Sequence, residues 1–253
     1  MTIWEAIILG LIQGITEFLP ISSSGHLFLA AELFDLEADL GFFVFLHLGT
    51  LVAVVAAYWD VILKMLRNPK DYRWKFVVLA SIPTFILAAF YKFAIAGNFE
   101  NYLLPVGFAA TIVLLITAQR AKVKNIAVIP KTHVALLTGL AQGFAVIPGL
   151  SRSGTTISAM NLMGINRKQA GELSFLMSIP VILGGGAVET ISLFREETIS
   201  LTSPLNILAG SAAAALSGLL AIFALKKLLS KDCILPFAVY LLIPLLLSVL
   251  CLI

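Results

Sequence analysis

Long apolar stretches separated by short polar loops run along the whole chain. Six of them are about as long as the roughly 20 residues that a helix needs to cross a bilayer, and they carry almost no charge. They are Leu40–Trp59, Phe76–Phe93, Tyr102–Ala118, Leu173–Phe194, Leu205–Leu225 and Cys233–Ile253. Because apolar positions are continuous rather than alternating, the pattern predicts membrane-spanning α-helices and not the strands of a barrel.

Two further apolar stretches are interrupted near their middle by proline, glycine and serine. The first covers residues 3–31 and breaks at 19–25, and the second covers 132–163 and breaks at 148–154. Proline and glycine are unfavourable inside a helix, and each half is too short to cross a bilayer alone. We therefore predict two re-entrant helix-turn-helix hairpins, each of which enters and leaves the membrane on one side.

The two broken stretches are copies of one another. A shift of 129 residues matches seven identical residues within the 17 positions from Gly10 to His26, more than shared hydrophobicity explains. The matched residues are Gly10 and Gly139, Leu11 and Leu140, Gln13 and Gln142, Gly14 and Gly143, Ser22 and Ser151, Ser24 and Ser153, and Gly25 and Gly154. The chain is therefore predicted to be a single membrane domain, 1–253, built from one repeat over 1–125 and a second over 126–253.

With re-entrant hairpins, each repeat crosses the membrane three times, an odd number, so the second copy lies upside down relative to the first. The pattern therefore predicts an inverted-topology tandem repeat. With both hairpins re-entrant, 14 of the 17 basic residues lie on one side of the membrane. They are Lys64, Arg67, Lys70, Arg73, Lys75, Arg120, Lys122, Lys124, Lys131, Arg167, Lys168, Lys226, Lys227 and Lys231. Since cytoplasmic loops carry the excess of lysine and arginine, this side is predicted to be the cytoplasm.

The same topology places both termini outside the cell, together with an acidic loop. The acidic residues of that loop are Glu32, Asp35, Glu37 and Asp39. The two hairpins then dip into the membrane from opposite sides, so that their tips can meet. Inverted repeats with broken helices commonly have their functional site at such a meeting point, and we expect the site to open outward.

The composition agrees with this architecture and excludes others. Hydrophobic residues make up 60% of the 253 residues, charged residues 12%, and the mean hydropathy is +1.01. Soluble domains carry about 25% charged residues, and a soluble domain of this size cannot bury so much apolar surface. A soluble enzyme, a nucleic-acid-binding protein and a disordered chain are therefore excluded. The N-terminus lacks the basic region of a cleaved signal peptide.

The first break lies between ionisable residues in an otherwise uncharged stretch. Glu17 precedes it, and a charge at such depth indicates function, although a carboxylate at a helix end is the structural alternative. His26 lies one helical turn after Ser23, within reach for proton transfer, with a packed core histidine as the alternative. Gln13, one turn before Glu17, is predicted to position it by hydrogen bonding. His47 fits a core histidine better than a neighbour of the site.

The second break contains an arginine between two serines. An arginine within a bilayer requires an anion, and the forked donors of Arg152 match a phosphate or a carboxylate. Further donors and a helix N-terminus surround it, provided by Ser151, Ser153, Gly154, Thr155 and Thr156. Together they predict a phosphate cradle that lacks the P-loop lysine. The alternative is a purely structural ion pair of Arg152 with Glu17.

Both breaks resemble the signatures of the undecaprenyl-diphosphatase family, also called BacA or UppP. The first signature stands here as QGxTEFLPxSSSGH over residues 13–26, and the second as PGLSRSGTT over residues 148–156. The two motifs are long and specific, and the resemblance covers essentially the whole chain. It implies an integral membrane phosphatase that converts undecaprenyl diphosphate to the monophosphate, recycling the carrier lipid of cell-wall synthesis, with a link to bacitracin resistance.

The resemblance also implies roles for individual residues. The expected catalytic residues are Glu17, Ser23, His26 and Arg152. The substrate-binding residues expected from the two motifs are Gln13, Ser22, Ser24, Ser151, Ser153, Gly154, Thr155 and Thr156. The family is metal-dependent, so Glu17 is also expected to hold a divalent cation, Mg²⁺ or Ca²⁺. Many members have a second glutamate where this chain has Gln13, which leaves one carboxylate in this motif.

Diphosphate hydrolysis needs a nucleophile, a proton acceptor and positive charge on the phosphoryl oxygens. We predict that Ser23 attacks the terminal phosphorus while His26 takes its proton and Arg152 clamps the phosphoryl group. Attack by water, with Ser23 as a donor, is the alternative that the sequence leaves open. The polyprenyl tail would lie between helices and in lipid.

Two other classes of function also fit the sequence. A polyprenyl-phosphate transporter or flippase is one, because inverted repeats with broken helices are typical of transporters. A structural membrane scaffold is the weaker one. Membrane lipids are the expected surroundings and no nucleic-acid partner is expected. The oligomeric state is left open, and a homodimer is compatible with the sequence.

Overall fold

The computed structural model describes residues 1–35, 40–94, 100–123, 126–195 and 202–251. Within these ranges the chain forms α-helices and no strands, which confirms the all-α prediction. The helices are α1 (Ile3–Phe18), α2 (Ser23–Phe34), α3 (Leu40–Ala57), α4 (Trp59–Arg67), α5 (Tyr72–Ala94), α6 (Glu100–Gln119), α7 (Thr132–Phe144), α8 (Arg152–Leu162), α9 (Arg167–Arg195), α10 (Pro204–Ser230), α11 (Leu235–Tyr240) and α12 (Leu242–Leu250). Among the residues of the predicted loops, Glu37, Asp39 and Lys124 lie outside the described part of the chain.

The described helices make this a multi-pass membrane protein. Four of them, α5, α6, α9 and α10, are long and apolar enough to cross a membrane. A fifth span results if α3 and α4 are counted together, although the chain bends by 72° between them. The described residues thus contain fewer full-length spans than the six that were predicted.

The predicted span over residues 233–253 is the one that differs most. It forms α11 and α12, which are separated only by Leu241. Pro244 explains the division, because a proline has no N–H to donate to the carbonyl four residues earlier, here that of Tyr240. The two pieces together cover only residues 235–250.

Both predicted breaks are present, and a serine begins the helix after each. The Ser22 hydroxyl accepts a hydrogen bond from the Gly25 N–H at the start of α2, and the Ser151 hydroxyl accepts one from the Gly154 N–H at the start of α8. Serine side chains at this position satisfy N–H groups that the helix cannot pair itself. The repeated sequence pattern therefore produces the same local structure twice.

Each half of the chain packs its broken segment against the other half. Helix α1 lies along α10, and α7 lies along α5. A shift of 129 residues carries α5 onto α10, so these two contacts are equivalent. In the same way α6 packs against α8, while α12 packs against α2. The break after α1 and the break after α7 are thereby brought together.

Glycines allow α1 to approach α10 closely. A Cβ atom on Gly10 would lie 2.2 Å from the carbonyl oxygen of Gly210, and one on Gly14 would lie 2.0 Å from the hydroxyl of Ser217. Small residues at such contacts are typical of helix interfaces in membranes, where tight packing replaces the hydrophobic effect as the driving force. This contact sets the position of the end of α1, and with it that of Glu17.

Gly10→Ala should destabilise the protein, whereas Gly185→Ala should not. Alanine favours a helix over glycine by about 1 kcal/mol at either position, but a Cβ on Gly185 meets nothing within 4 Å. Overpacking of the α1–α10 contact should cost about 1–3 kcal/mol, which lowers the melting temperature by about 5 °C. Thermal unfolding of both variants in detergent micelles checks this. Equal melting temperatures would show that the contact is not tight.

Candidate active site

The carboxylate of Glu17 is the centre of the candidate active site. It lies at the end of α1 and is 8% exposed. Its Oε1 accepts a hydrogen bond from Arg152 Nη2 at the start of α8. Its Oε2 accepts one from Ser23 Oγ at 2.6 Å and one from Gln13 Nε2 at 3.1 Å. Four residues predicted from the sequence are therefore joined in one hydrogen-bonded group.

His47 stands at the edge of this group. Its Nε2 lies 3.9 Å from Glu17 Oε2, and its Nδ1 lies 2.8 Å from the carbonyl oxygen of Phe43 in its own helix. A carbonyl can only accept, so Nδ1 carries the hydrogen and Nε2 faces the carboxylate. The interpretation of His47 as a core histidine was wrong. No sequence motif marks it, because it comes from α3.

The ion pair of Glu17 and Arg152 holds the two broken segments together. Both side chains are largely buried, and an unpaired charge in such surroundings would be costly. Arg152 Nη1 is buried and has no hydrogen-bond partner among the described residues, as is true of Thr155 Oγ1 one turn later on α8. The arginine thus pairs with the carboxylate and keeps donors for a further anion.

His26 is not paired with Ser23, contrary to the mechanism predicted from the sequence. The Ser23 hydroxyl donates to Glu17, a charged and therefore stronger acceptor. His26 Nδ1 lies 2.7 Å from the carbonyl oxygen of Ser22, and His26 Nε2 lies 3.0 Å from Tyr240 Oη. Both Ser23 and His26 are therefore near the first break, but the hydrogen-bond acceptor of Ser23 is Glu17.

The serines of the two tips bind mainly to one another and to the backbone. Ser22 Oγ lies 3.4 Å from Ser24 Oγ, and Ser151 Oγ lies 3.3 Å from Ser153 Oγ. Ser153 also donates to the carbonyl oxygen of Leu19 at 3.0 Å, across the two halves. Ser24 is exposed, whereas Ser22, Ser151 and Ser153 are buried. These contacts shape the tips, and their role toward a substrate stays a prediction.

Thr156 and Gly154 attach α8 to its surroundings. Thr156 Oγ1 lies 2.7 Å from Ser174 Oγ on α9 and donates to the carbonyl oxygen of Arg152 at 2.9 Å. A Cβ on Gly154 would lie 3.3 Å from Pro20 Cβ, so the two tips are in close contact there. Thr156 is fully buried, and its hydroxyl is occupied by the protein itself.

Sequence reasoning missed Tyr240, the partner of His26. The 129-residue shift carries Thr111 onto Tyr240, but neither residue lies in a motif, so no sequence signal marked Tyr240. Thr111 Oγ1 accepts a hydrogen bond from the Ser151 N–H at 3.0 Å and donates to the carbonyl oxygen of Gly149 at 3.2 Å. Thr111 and Tyr240, at equivalent positions of the two repeats, thus each form hydrogen bonds to residues in or beside the break of the opposite half.

Comparison with known proteins establishes the family of this chain. A family model described as bacitracin resistance protein BacA matches residues 6–246. The chain belongs to the BacA family. An undecaprenyl-diphosphatase of Halothermothrix orenii is 39% identical over 249 residues, covering 95% of this chain and 94% of the relative. One of Thermosipho africanus is 40% identical over 233 residues, covering 88% of this chain and 89% of the relative.

The relatives are not confined to bacteria. An undecaprenyl-diphosphatase of Methanococcus vannielii is 36% identical over 233 residues, covering 88% of this chain and 90% of the relative. The match of all three extends over almost the whole of both chains. The resemblance found in the two motifs is thus confirmed at the level of the family.

Glu17 and Gln13 carry the oxygen atoms of this group that a divalent cation would use. Gln13 Oε1 is buried without a hydrogen-bond partner in the described structure, while Nε2 of the same side chain is bonded to Glu17. A carboxylate and an amide oxygen suit Mg²⁺ or Ca²⁺, and Mg²⁺ commonly takes further ligands from substrate phosphates. Within the described residues, no three His, Cys, Asp or Glu side chains form a metal-binding group.

Removal of Arg152 should be more harmful to stability than removal of the whole ion pair. Arg152→Met leaves Glu17 buried and uncompensated, which should cost about 3–5 kcal/mol of unfolding free energy. In the double variant with Glu17→Gln, most of this loss should disappear. Denaturant titration in mixed micelles measures both values. A double variant whose loss equals the sum of the single losses would contradict a direct ion pair.

Proposed function

We propose that this protein hydrolyses undecaprenyl diphosphate, or a closely related polyprenyl diphosphate, to the monophosphate and inorganic phosphate. The observation that carries the proposal is the Ser23–Glu17–Arg152 group, in which a hydroxyl donates to a carboxylate beside a guanidinium with unused donors. The names of the relatives also support a diphosphatase over a transporter or flippase. The product would re-enter the cell-envelope carrier cycle.

In the first step Ser23 Oγ attacks the terminal phosphorus, and its proton passes to Glu17 Oε2 over 2.6 Å. The bond from phosphorus to the bridging oxygen breaks, and its electron pair leaves with the polyprenyl monophosphate. Protonation removes the charge of Glu17 at the same moment. The positive charge of Arg152 is then free to stabilise the phosphoryl oxygens, which is where negative charge develops.

In the second step water attacks the phosphoserine. One of its protons passes to Nε2 of His26, because Nδ1 is held by the Ser22 carbonyl. The bond from phosphorus to the serine oxygen breaks, and that oxygen takes back the proton from Glu17. Inorganic phosphate leaves, and the proton on His26 passes to it or to solvent. The active site is thereby returned to its starting state.

The inverted repeat with two re-entrant hairpins is part of the same proposal. Contacts at the helix ends support it. Arg167, the first residue of α9, donates to the carbonyl oxygens of Ala118 and Gln119 at the end of α6. The chain thus leaves the second broken segment beside the point at which it entered. Close contacts of Gly210 with Ala6 and Phe42 support the same course for the first.

The orientation follows from this course. With both segments re-entrant, the basic residues gather on one side, as the positive-inside rule requires of the cytoplasmic side. Both termini then lie outside the cell, and the active site opens outward. The polyprenyl tail lies between helices and in lipid.

The function is tested by phosphate release from a polyprenyl diphosphate by the purified protein. Wild type should release phosphate, and Ser23→Ala should reduce the rate by at least about 10³, the scale for loss of a central catalytic group. Ser230→Ala, at the exposed end of α10, is the matched control and should leave the rate unchanged. A loss of only about tenfold in Ser23→Ala would fit a lost hydrogen bond and favour direct attack by water. Absence of phosphate release by wild type would refute the function.

A divalent cation bound by Glu17 and Gln13 Oε1 is also part of the proposal. Gln13→Glu should tighten it, because a second carboxylate adds charge to the site. The Ca²⁺ concentration that gives half of the full rise in melting temperature should fall about tenfold, since a ligand that binds only the folded state stabilises it. Gln142→Glu is the matched control at the equivalent position, where Nε2 bonds to Thr84 Oγ1 and not to a carboxylate. Equal Ca²⁺ dependence of both variants would contradict this site.

A further inference from the structure

The imidazole of His26 is held between its own helix and the last helical region of the chain. Nε2 lies 3.0 Å from Tyr240 Oη, and the two rings are nearly parallel, with centroids 5.7 Å apart and planes at 7°. Phe108 meets the histidine ring edge-on at 5.8 Å. The ring is thus fixed by contacts on both of its nitrogens and on its edge.

These contacts determine which nitrogen can exchange a proton. The Ser22 carbonyl can only accept, so His26 Nδ1 carries a hydrogen. In the neutral ring Nε2 is then an acceptor, and the phenol of Tyr240 donates to it. In the charged ring Nε2–H donates to the same phenol oxygen. Tyr240 can therefore hold the ring in both states, because a hydroxyl both donates and accepts.

Tyr240 is the last residue of α11, beside the point where Pro244 interrupts the helical hydrogen bonds. Pro244 leaves the Tyr240 carbonyl without its helical donor, but helical hydrogen bonds continue through Leu241, which donates to the Phe237 carbonyl and accepts from the Leu245 N–H. Tyr240 is 43% exposed, although it comes from an apolar stretch. Its hydroxyl thus lies at the accessible edge of the site rather than in the core.

The repeat gives a second, independent reason. Tyr240 and Thr111 are equivalent under the 129-residue shift, and both carry a hydroxyl. Thr111 bonds to the backbone within the second break, at Gly149 and Ser151. Tyr240 bonds to His26 beside the first. Each repeat thus uses the same position of its last helical region to hold the polar tip of the other.

We propose that Tyr240 is a further catalytic residue of the second step, because its hydroxyl donates to His26 Nε2 and can take a proton from the reacting water as it passes its own proton to Nε2. This inference rests on the proposed function. Tyr240 contacts the reacting water and needs no contact with the lipid. The hydrogen bond of Nδ1 to the Ser22 carbonyl leaves Nε2 as the nitrogen that accepts this proton.

Tyr240→Phe tests this, because it keeps the ring and removes only the hydroxyl. We expect kcat for phosphate release to fall about tenfold, the effect of one lost hydrogen bond, while KM changes less than twofold. In a ¹⁵N-histidine NMR spectrum the Nε2 signal of His26 should move, and its Nδ1 signal should stay. Tyr102→Phe, at an exposed tyrosine of α6, is the matched control and should change neither.

A double-mutant cycle separates this role from a general effect on packing. In a His26→Ala background, Tyr240→Phe should change the residual rate by less than twofold. A tenfold loss in that background, an unchanged Nε2 signal, or an unchanged kcat would each overturn the proposal. If wild type releases no phosphate, the proposed function is refuted. The Nε2 signal then shows separately whether the Tyr240 hydroxyl is hydrogen-bonded to His26. The ¹⁵N-histidine spectrum is recorded on the folded protein and does not depend on its activity.

Discussion

A carboxylate buried within a membrane needs a positive partner, and Glu17 finds one in Arg152. The two residues come from different halves of the chain, 135 positions apart, so the pair can form only when the broken segments meet. The cost of leaving either charge alone makes this contact a condition for the assembled site. In the proposed mechanism, a proton on Glu17 neutralises the carboxylate. The positive charge of Arg152 can then stabilise the phosphoryl oxygens of the substrate.

The packing around the pair follows from small residues. Gly10 and Gly14 let α1 lie directly against α10, and Gly139 lets α7 lie against α5, where a Cβ would be 2.1 Å from the Ala80 carbonyl oxygen. Each half of the chain therefore packs against the broken segment of the other half. This exchange explains why the polar groups of one reaction are divided between two distant motifs.

The two breaks have similar structures and different chemistry. Under the repeat, Ser23 corresponds to Arg152 and His26 to Thr155, while the capping serines are the same in both. In the proposed mechanism one tip supplies the nucleophile and the groups that move protons, and the other supplies positive charge and donors. Divergence at a few positions of a duplicated hairpin is sufficient to build an asymmetric site from two similar halves.

The sequence alone determined the all-helical membrane fold, the two breaks, the repeat and the family, because these depend on local properties such as hydrophobic length, proline, glycine and serine caps. It also identified Glu17, Ser23, His26 and Arg152. Only the tertiary structure decided the pairing among them: Ser23 bonds to Glu17 instead of His26, and His26 bonds to Tyr240. Hydrogen-bond partners depend on how distant helices approach one another, and Pro244 divided a stretch whose hydrophobicity predicted one continuous span.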